Sequence, residues 1–215
     1  MNVIKHICRP GGRPVSVYLA DAEPLLADDA LCSALPLLPP ARQNRVLACR
    51  FRRVQALRAA GGLLLRQGFL DAGLAPELLR IERTPAGKPF LPEQPELFFS
   101  LSHSGRWAMA AFAAAPVGCD IQSGAHLPAH SGAFPFHPDE RAFLSAAQDE
   151  AERRTRFFRL WCLKESYLKA TGEGLSRPLE SFCVHLDGDR PDLPGAAALE
   201  LAAPEGCFAA VCIIV

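Results

Sequence analysis

The chain has 215 residues, of which 49% are hydrophobic and 21% charged, and its formal net charge at pH 7 is +0. This length suits one large domain or two small ones with a buried core. The neutral charge excludes a global field that would attract nucleic acid or a membrane surface. No segment reaches the roughly 20 apolar residues that a membrane-spanning helix needs.

Targeting and cysteine patterns indicate the compartment. The N-terminus lacks the apolar stretch of a secretory signal. None of the eight cysteines forms a C-x-x-C pair, and most lie inside apolar runs. This usage is typical of buried, reduced thiols rather than of a disulfide framework or a zinc site. We therefore expect a cytoplasmic protein.

The first part of the chain predicts mixed structure. An extended segment at 15–19 precedes a helical stretch over about 42–70, which the pair Gly61-Gly62 is expected to bend or break. The following elements are short strands near 79–82, 97–101 and 117–121, an apolar stretch at 107–114, and turns at 85–87 and 104–105.

The second part begins with a segment rich in Ser, Gly, Pro and His, residues 123–136, which predicts a hinge. Helix signals resume after Pro138-Asp139-Glu140, and a long helix is predicted over 150–170, ended by Gly172 and Gly174. Strands are predicted near 181–186, 197–201 and 208–214. The pattern indicates an α+β fold with halves at 1–122 and 123–215.

Lysine usage is unusual, because only four of the 23 basic residues are lysines. They are Lys5, Lys88, Lys164 and Lys169. Since the chain supplies generic positive charge with arginine, a lysine indicates a place where a compact ammonium is suited.

The segment from Trp161 to Leu175 reads W-x-x-K-E-x-x-x-K-A-x-G-x-G-L. On a helix, Lys164 falls within an apolar stripe, where an ammonium needs an anionic partner or a route to water. Glu165 and Lys169 stand one turn apart, so an exposed i,i+4 ion pair is the alternative interpretation.

A carboxylate ends the predicted strand near 117–121. Asp120 and Gln122 lie on the same face of that strand. Such a carboxylate can hold Mg²⁺ together with a glutamate on a helix, water and substrate phosphates. An aspartate that caps a turn is the alternative.

Two turns offer groups that suit phosphate oxygens. Ser102 and His103 are adjacent on a strand and point to opposite faces, so they do not form a nucleophilic dyad. Their strand-end turn suits phosphate better. The turn from Arg83 to Pro89 presents cations without the spacing of a Walker A loop.

Arginines are frequent along the first predicted helix, where they form either a solvated face or a nucleic-acid surface. They are Arg42, Arg45, Arg50, Arg52, Arg53, Arg58 and Arg66.

Taken together, these motifs resemble the longer, surfactin-synthetase-activating type of 4′-phosphopantetheinyl transferase. The resemblance spans about residues 36–186, and the family's order is kept. It is carried by Gly87-Lys88-Pro89, by Ser102-His103-Ser104-Gly105, by Gly118-Cys119-Asp120-Ile121, and by the segment from Trp161 to Leu175.

The resemblance implies two similar α+β halves related by a pseudo-two-fold axis, with the active site in the cleft between them, in a monomer. It implies a Mg²⁺-dependent transfer of the 4′-phosphopantetheine group from coenzyme A to a serine of an acyl or peptidyl carrier protein, with release of 3′,5′-ADP. The carriers would serve fatty-acid, polyketide or nonribosomal peptide synthesis.

The resemblance also implies residue roles. Asp120 and Glu165 would bind the metal, and Glu165 or a metal-bound water would take the proton from the carrier serine. Lys169 would stabilise charge at the pyrophosphate, with His103 beside it, and Lys164 would support the site. Gln122 replaces a frequent glutamate, so we expect two carboxylates, with Gln122 as an amide ligand or as the holder of a water. The residues expected to bind coenzyme A are Arg42, Arg45, Arg58, Arg83, Lys88, Ser102, His103 and Lys169.

Two alternatives stay open. A non-catalytic module could bind coenzyme A or a carrier protein with the same fold, Gln122 being the first lost ligand. The arginine-rich helix could bind nucleic acid, which predicts a steep dependence of binding on salt. We expect neither a nucleic acid nor a membrane as a partner.

Overall fold

The structure is a computed structural model that describes residues 1–125, 134–186 and 191–215. The strands in these ranges are β1 (Val3–Cys8), β2 (Val15–Asp21), β3 (Glu82–Arg83), β4 (Pro89–Phe90), β5 (Phe98–Ser104), β6 (Trp107–Ala113), β7 (Val117–Ser123), β8 (Asp192–Leu193), β9 (Ala196–Leu201) and β10 (Cys207–Ile214). The helices are α1 (Asp28–Ala34), α2 (Pro40–Leu47), α3 (Arg52–Asp71), α4 (Pro138–Ser145) and α5 (Glu150–Thr171).

Two four-stranded antiparallel sheets form the frame of the molecule. The first has the order β1-β2-β6-β5 and the second β7-β10-β9-β8. Helix α3 packs on the first sheet and α5 on the second. A third apolar cluster, which includes Val17, Met109, Ile121 and Val211, joins the two sheets. The predicted α+β fold of two halves is therefore confirmed.

The facing edges of the sheets are joined by a serine seam, which we define as Ser100, Ser102 and Ser104 of β5. These residues alternate along the strand, so their side chains share one face. Their hydroxyl oxygens accept the backbone N–H groups of Cys119, Ile121 and Ser123 at 3.1, 3.3 and 3.0 Å. Side chains thus take the place of a backbone ladder between β5 and β7, and they fix the register of the two halves.

Helix α5 lies directly against β7 because the strand carries a glycine at the contact. A Cβ atom on Gly118 would stand 1.9 Å from the carbonyl oxygen of Ser166 and 2.4 Å from the backbone nitrogen of Ala170. The helix begins at the cap Asp149, which accepts the N–H of Glu152, and ends at Gly172 in the left-handed region with φ of 80°. This close approach brings the last turns of α5 over the strand that carries Asp120.

Two expectations about local structure are wrong. The predicted helix breaks between Leu47 and Arg52, and Gly61-Gly62 lies inside α3. Gly62 is there for packing, because a Cβ atom would meet the side chains of Leu38 and Arg42 at 2.7–2.8 Å. The predicted strand near 181–186 is reduced to a single bridge between His185 and Asp192.

The division into residues 1–122 and 123–215 stays a prediction. Part of the expected hinge, 126–133, lies outside the described residues. The hydrogen bonds place β7 in the second sheet, since it pairs with β10 over seven positions from Val117 to Ser123. By sheet membership, therefore, Asp120 belongs with the second half.

Candidate functional site

A cleft lies where the two halves meet. It consists of two adjoining cavities of about 770 and 550 Å³, both of which are lined by Arg42, Arg45, Arg83, Leu101 and Lys169. The larger one also contains the polar side chains that the sequence singled out from both halves. These are Arg58, Ser102, His103, Asp120, Gln122 and Glu165.

Asp120 is 1% exposed and is held by three side chains. Its Oδ1 accepts the hydroxyl of Ser102 at 2.6 Å and the ammonium of Lys169 at 2.6 Å. Its Oδ2 accepts the amide of Gln122 at 3.1 Å. Burying a carboxylate is costly without such partners, and these partners fix its orientation toward the cleft.

Glu165 has a different environment. It is partly buried on α5 and forms no hydrogen bond or ion pair with another described residue. Burial raises the pKa of its carboxyl, the nearby Asp120 raises it further, and Lys169 opposes the shift. An unpaired carboxylate in a cleft is poised to bind a cation or to accept a proton.

Lys169 connects the carboxylates to the basic side of the cleft. Besides Asp120, its ammonium donates to the Cys119 carbonyl at 3.1 Å. Burial lowers the pKa of Lys169, but attraction to Asp120, Cys119 and Glu165 prevails and the pKa is raised overall. This lysine therefore carries its charge at neutral pH. The i,i+4 pair with Glu165 that the sequence left open does not form, because Lys169 turns toward Asp120.

The donor set fits Mg²⁺. Asp120, Gln122 and Glu165 line the same cavity and offer carboxylate and amide oxygens, the ligand type that Mg²⁺ prefers. The oxygens of Glu165 have no partner among the described residues, which leaves them available to a cation. The amide oxygen of Gln122 accepts the Ser104 hydroxyl at 3.1 Å, so this side chain bridges Asp120 to the serine seam.

Arginines of the first half form the opposite wall of the cleft. Arg42, Arg45, Arg58 and Arg83 make no ion pair with a carboxylate of the described residues. Burial and the neighbouring Arg45 and Arg83 lower the pKa of Arg42 to about 10. A polyanionic ligand would relieve the mutual repulsion of these arginines, for which the described carboxylates supply no counterion.

His103 stands beside this wall. Its pKa is lowered, chiefly by burial and also by the charges of Lys169 and Arg58, although Asp120 opposes the shift. The imidazole is therefore neutral at pH 7 and can donate or accept a hydrogen bond. Ser102 and His103 face different ways, as expected for adjacent strand residues, since Ser102 is buried, whereas His103 is accessible to solvent even though neighbouring atoms crowd its ring.

Lys88 binds the end of α5. Its ammonium donates to the Ala170 carbonyl at 2.6 Å, its stem lies against Gly172, and burial lowers its pKa to about 8. It lines the smaller cavity and joins the two halves. The hydrogen bond to Ala170 caps the C-terminal end of α5. The expected contact of Lys88 with coenzyme A stays a prediction.

Lys164 lies outside the cleft lining, although it is adjacent to Glu165 in sequence. It is fully buried and pairs with Glu140 at 2.6 Å, donates to the Phe182 carbonyl at 2.7 Å, and stands 4.0 Å from the centre of the Phe182 ring. The buried anion that the apolar stripe required is therefore Glu140. The helix pattern could not indicate this partner, because Glu140 lies 24 residues from Lys164 in sequence.

The protein has two α+β halves, and its cleft places a buried and a partly buried carboxylate opposite arginines that form no ion pair with a described carboxylate. This arrangement is suited to binding a cation and a polyanion together. Comparison with known proteins supplies the class. Residues 116–198 match the family described as the "4'-phosphopantetheinyl transferase superfamily", and residues 26–115 match "4'-phosphopantetheinyl transferase, N-terminal".

Individual relatives agree. The "4'-phosphopantetheinyl transferase HetI" of Nostoc sp. is 31% identical over 216 residues, covering 88% of this chain and 89% of the relative. The chain therefore belongs to the 4′-phosphopantetheinyl transferase family. The "4'-phosphopantetheinyl transferase Sfp" of Bacillus subtilis is 37% identical over 123 residues, 57% of this chain and 52% of the relative. Another transferase of Bacillus subtilis is 36% identical over 69% of this chain and 64% of its own length. The matched stretch thus spans about half to two thirds of these two relatives.

A solved structure, the holo-[acyl-carrier-protein] synthase of Thermotoga maritima, aligns with 17% identity and a TM-score of 0.40. It covers 46% of this chain and 62% of its own.

Proposed function

We propose that the chain transfers the 4′-phosphopantetheine group from coenzyme A to a serine of a carrier protein and releases 3′,5′-ADP. The observation that carries the proposal is the unpaired Glu165 in a cleft with Asp120 and the uncompensated arginines. A protein that only bound an anion would have no need of this partly buried, unpaired carboxylate beside the cations. Membership of the family supports the same reaction.

Asp120 and Glu165 would hold Mg²⁺, with Gln122 as an amide ligand or as the holder of a water. When bound, the ion would neutralise charge on the pyrophosphate and orient it for displacement. The two ligands come from the strand β7 and the helix α5, which Gly118 holds in direct contact. Such a close-packed junction would keep the ligand spacing constant during the reaction.

The protein's own groups would do the rest of the chemistry. The hydroxyl oxygen of the carrier serine would attack the phosphorus atom attached to pantetheine, and Glu165 would accept the proton of that hydroxyl. The bond from this phosphorus to 3′,5′-ADP would break in the same step. Lys169 and His103 would stabilise the charge that develops on the leaving phosphate. In phosphoryl transfer, in-line positioning and charge neutralisation are the main requirements.

The arginine wall would bind the nucleotide end of coenzyme A. Arg42, Arg45, Arg58 and Arg83 are suited to bidentate contacts with phosphate. Ser102, His103 and Lys88 would contribute further contacts. The Ser102 hydroxyl, which donates to Asp120 in the structure, would turn its proton to the phosphate when coenzyme A binds.

Acyl or peptidyl carrier proteins of fatty-acid, polyketide or nonribosomal peptide synthesis would be the partners of a cytoplasmic monomer. None of the helices in the described part of the chain has the length and apolar character that crossing a membrane requires. The eight cysteines, all within the described residues, form no disulfide there.

The direct test uses a fluorescent derivative of coenzyme A and a panel of purified apo-carrier proteins, with the enzyme in excess. We expect labelling of at least one carrier with Mg²⁺, none with a chelator, and none on a carrier whose acceptor serine is alanine. Binding of coenzyme A without labelling of any carrier would contradict the transferase and support the non-catalytic module.

The substitution Gln122→Glu tests the metal site without removing a ligand. It replaces the amide that donates to Asp120 by a third carboxylate, so a cation is needed to offset the added repulsion. We expect the Mg²⁺ concentration for half-maximal transfer to fall several-fold, and the variant without metal to unfold at a lower temperature than the wild type. An unchanged Mg²⁺ requirement would place the metal away from Gln122.

A further inference from the structure

A second group of metal-ligating side chains lies away from the cleft. Atoms of His137, Asp139 and Cys183 that can bind a metal all stand within 4.8 Å of one another. His137 is the cap residue before α4, and Asp139 lies in its first turn. Cys183 comes from the segment that follows the turn at Leu179–Ser181.

His185 adds a fourth possible ligand. Its Nδ1 stands 3.9 Å from the Sγ atom of Cys183. Val184 between them is 3% exposed and points inward, while Cys183 and His185 are more exposed and lie on the outer side. This alternation is that of an extended chain, which puts residues two apart on the same face. The backbone of His185 is fixed by two hydrogen bonds to Asp192.

The spacing of these atoms suits a tetrahedral ion. Zinc with bonds of about 2.0–2.3 Å to nitrogen, oxygen and sulfur separates its ligand atoms by about 3.3–3.8 Å. The His137 Nδ1 to Asp139 Oδ2 distance is 3.4 Å, and the Cys183 to His185 distance is 3.9 Å. The other separations among His137, Asp139 and Cys183 extend up to 4.8 Å, so these side chains must rotate toward one another to bind one ion, and His185 must turn toward them. His137 Nδ1, which accepts the backbone N–H of Asp139 at 3.3 Å, must turn from that donor to the metal.

The ligands stand on a rigid frame, because one buried carboxylate holds both backbone segments that carry them. Glu140 accepts the N–H of His137 at 3.0 Å with Oε2 and the N–H of Val184 at 2.8 Å with Oε1. The same Oε1 pairs with Lys164. The backbone segments that carry the ligands are thus held together before any ion binds, which lowers the conformational cost of binding.

We propose that His137, Asp139, Cys183 and His185 form a second metal site, which binds a zinc-class divalent ion and clips the start of α4 to residues 183–185. The mixture of thiolate, imidazole and carboxylate selects a borderline metal over Mg²⁺. The site is separate from the oxygen ligands of the cleft and is independent of the reaction proposed there.

The test uses the full chain, reduced and freed of metal by a chelator, and titrates it with Co²⁺ as a probe for thiolate coordination. We expect the near-ultraviolet sulfur-to-cobalt absorption to saturate at one equivalent, and one equivalent of Zn²⁺ to displace the cobalt, since zinc binds more tightly in this series. Zn²⁺ should also raise the temperature of thermal unfolding.

Matched variants identify the ligands. Cys183→Ser should abolish the absorption and the thermal shift, while Cys32→Ser, at an exposed cysteine on α1, should keep both. His137→Asn keeps a good helix cap and should raise the apparent Kd for Co²⁺ at least about tenfold. Glu165→Gln should leave the absorption unchanged, because that residue belongs to the cleft. No absorption in the wild type at stoichiometric cobalt, or the same absorption in Cys183→Ser, would overturn the proposal.

Discussion

Replacing Lys164 with methionine will lower the free energy of unfolding by about 3–5 kcal/mol, because it leaves the buried carboxylate of Glu140 without its cation. Glu140 and Lys164 are 2% and 0% exposed, so water cannot compensate. The carbonyl of Phe182 loses its donor at the same time. Chemical denaturation of the variant and the wild type measures the difference.

Two further variants make this prediction specific. Arg159 lies on the same helix as Lys164 and forms an ion pair with Glu200 of β9, in which both side chains are about a third exposed. Arg159→Met should therefore lower the free energy of unfolding by only about 1 kcal/mol or less. The double variant Lys164→Met with Glu140→Gln removes both buried charges and should recover part of the loss. Recovery is incomplete because the amide has one oxygen, whereas the two oxygens of Glu140 accept the N–H groups of His137 and Val184. If Lys164→Met were no more destabilising than Arg159→Met, the buried pair would not have the role assigned to it.

Replacing Glu165 with glutamine will lower the rate of transfer by about 10³-fold or more, since it removes both a metal ligand and the proposed proton acceptor. The same change should leave the free energy of unfolding unchanged or raised. The carboxylate has no partner among the described residues, and removing its charge removes a desolvation cost. Loss of activity without loss of stability is the expected signature of a functional group.

Glu150→Gln is the matched control, because Glu150 is an exposed glutamate in the first turn of the same helix. It should keep the wild-type rate of transfer. Circular dichroism and thermal unfolding of both variants show that the fold is intact. A Glu165→Gln variant that transferred at the wild-type rate would mean that the reacting groups lie elsewhere.

Local patterns in the sequence predicted much of the frame. The long helix with its glycine stop is present, with bounds that differ from the prediction by one residue at the C-terminal end. The strands that carry Ser102 and Asp120 were predicted from short apolar runs, although each extends a few residues further. These features depend on neighbouring residues, which is why a sequence pattern can indicate them.

What the sequence could not predict depends on distant parts of the chain. The apolar stripe indicated that Lys164 needed an anion, but Glu140 was interpreted only as a helix-start signal. The pairing of β7 with β10, some ninety residues later, could not be read from either strand alone. The serine seam follows from a register between two sheet edges, and Gly62 fills a contact with Leu38 and Arg42 that only the tertiary structure creates.

The most direct test of the proposed transfer is a single-turnover experiment with coenzyme A, an apo-carrier protein and excess enzyme, followed by intact-protein mass spectrometry. We predict that the carrier gains one phosphopantetheine group on its serine, with one equivalent of 3′,5′-ADP released, only when Mg²⁺ is present. A carrier mass that stays unchanged in the presence of Mg²⁺, although coenzyme A binds in the cleft, would contradict this prediction.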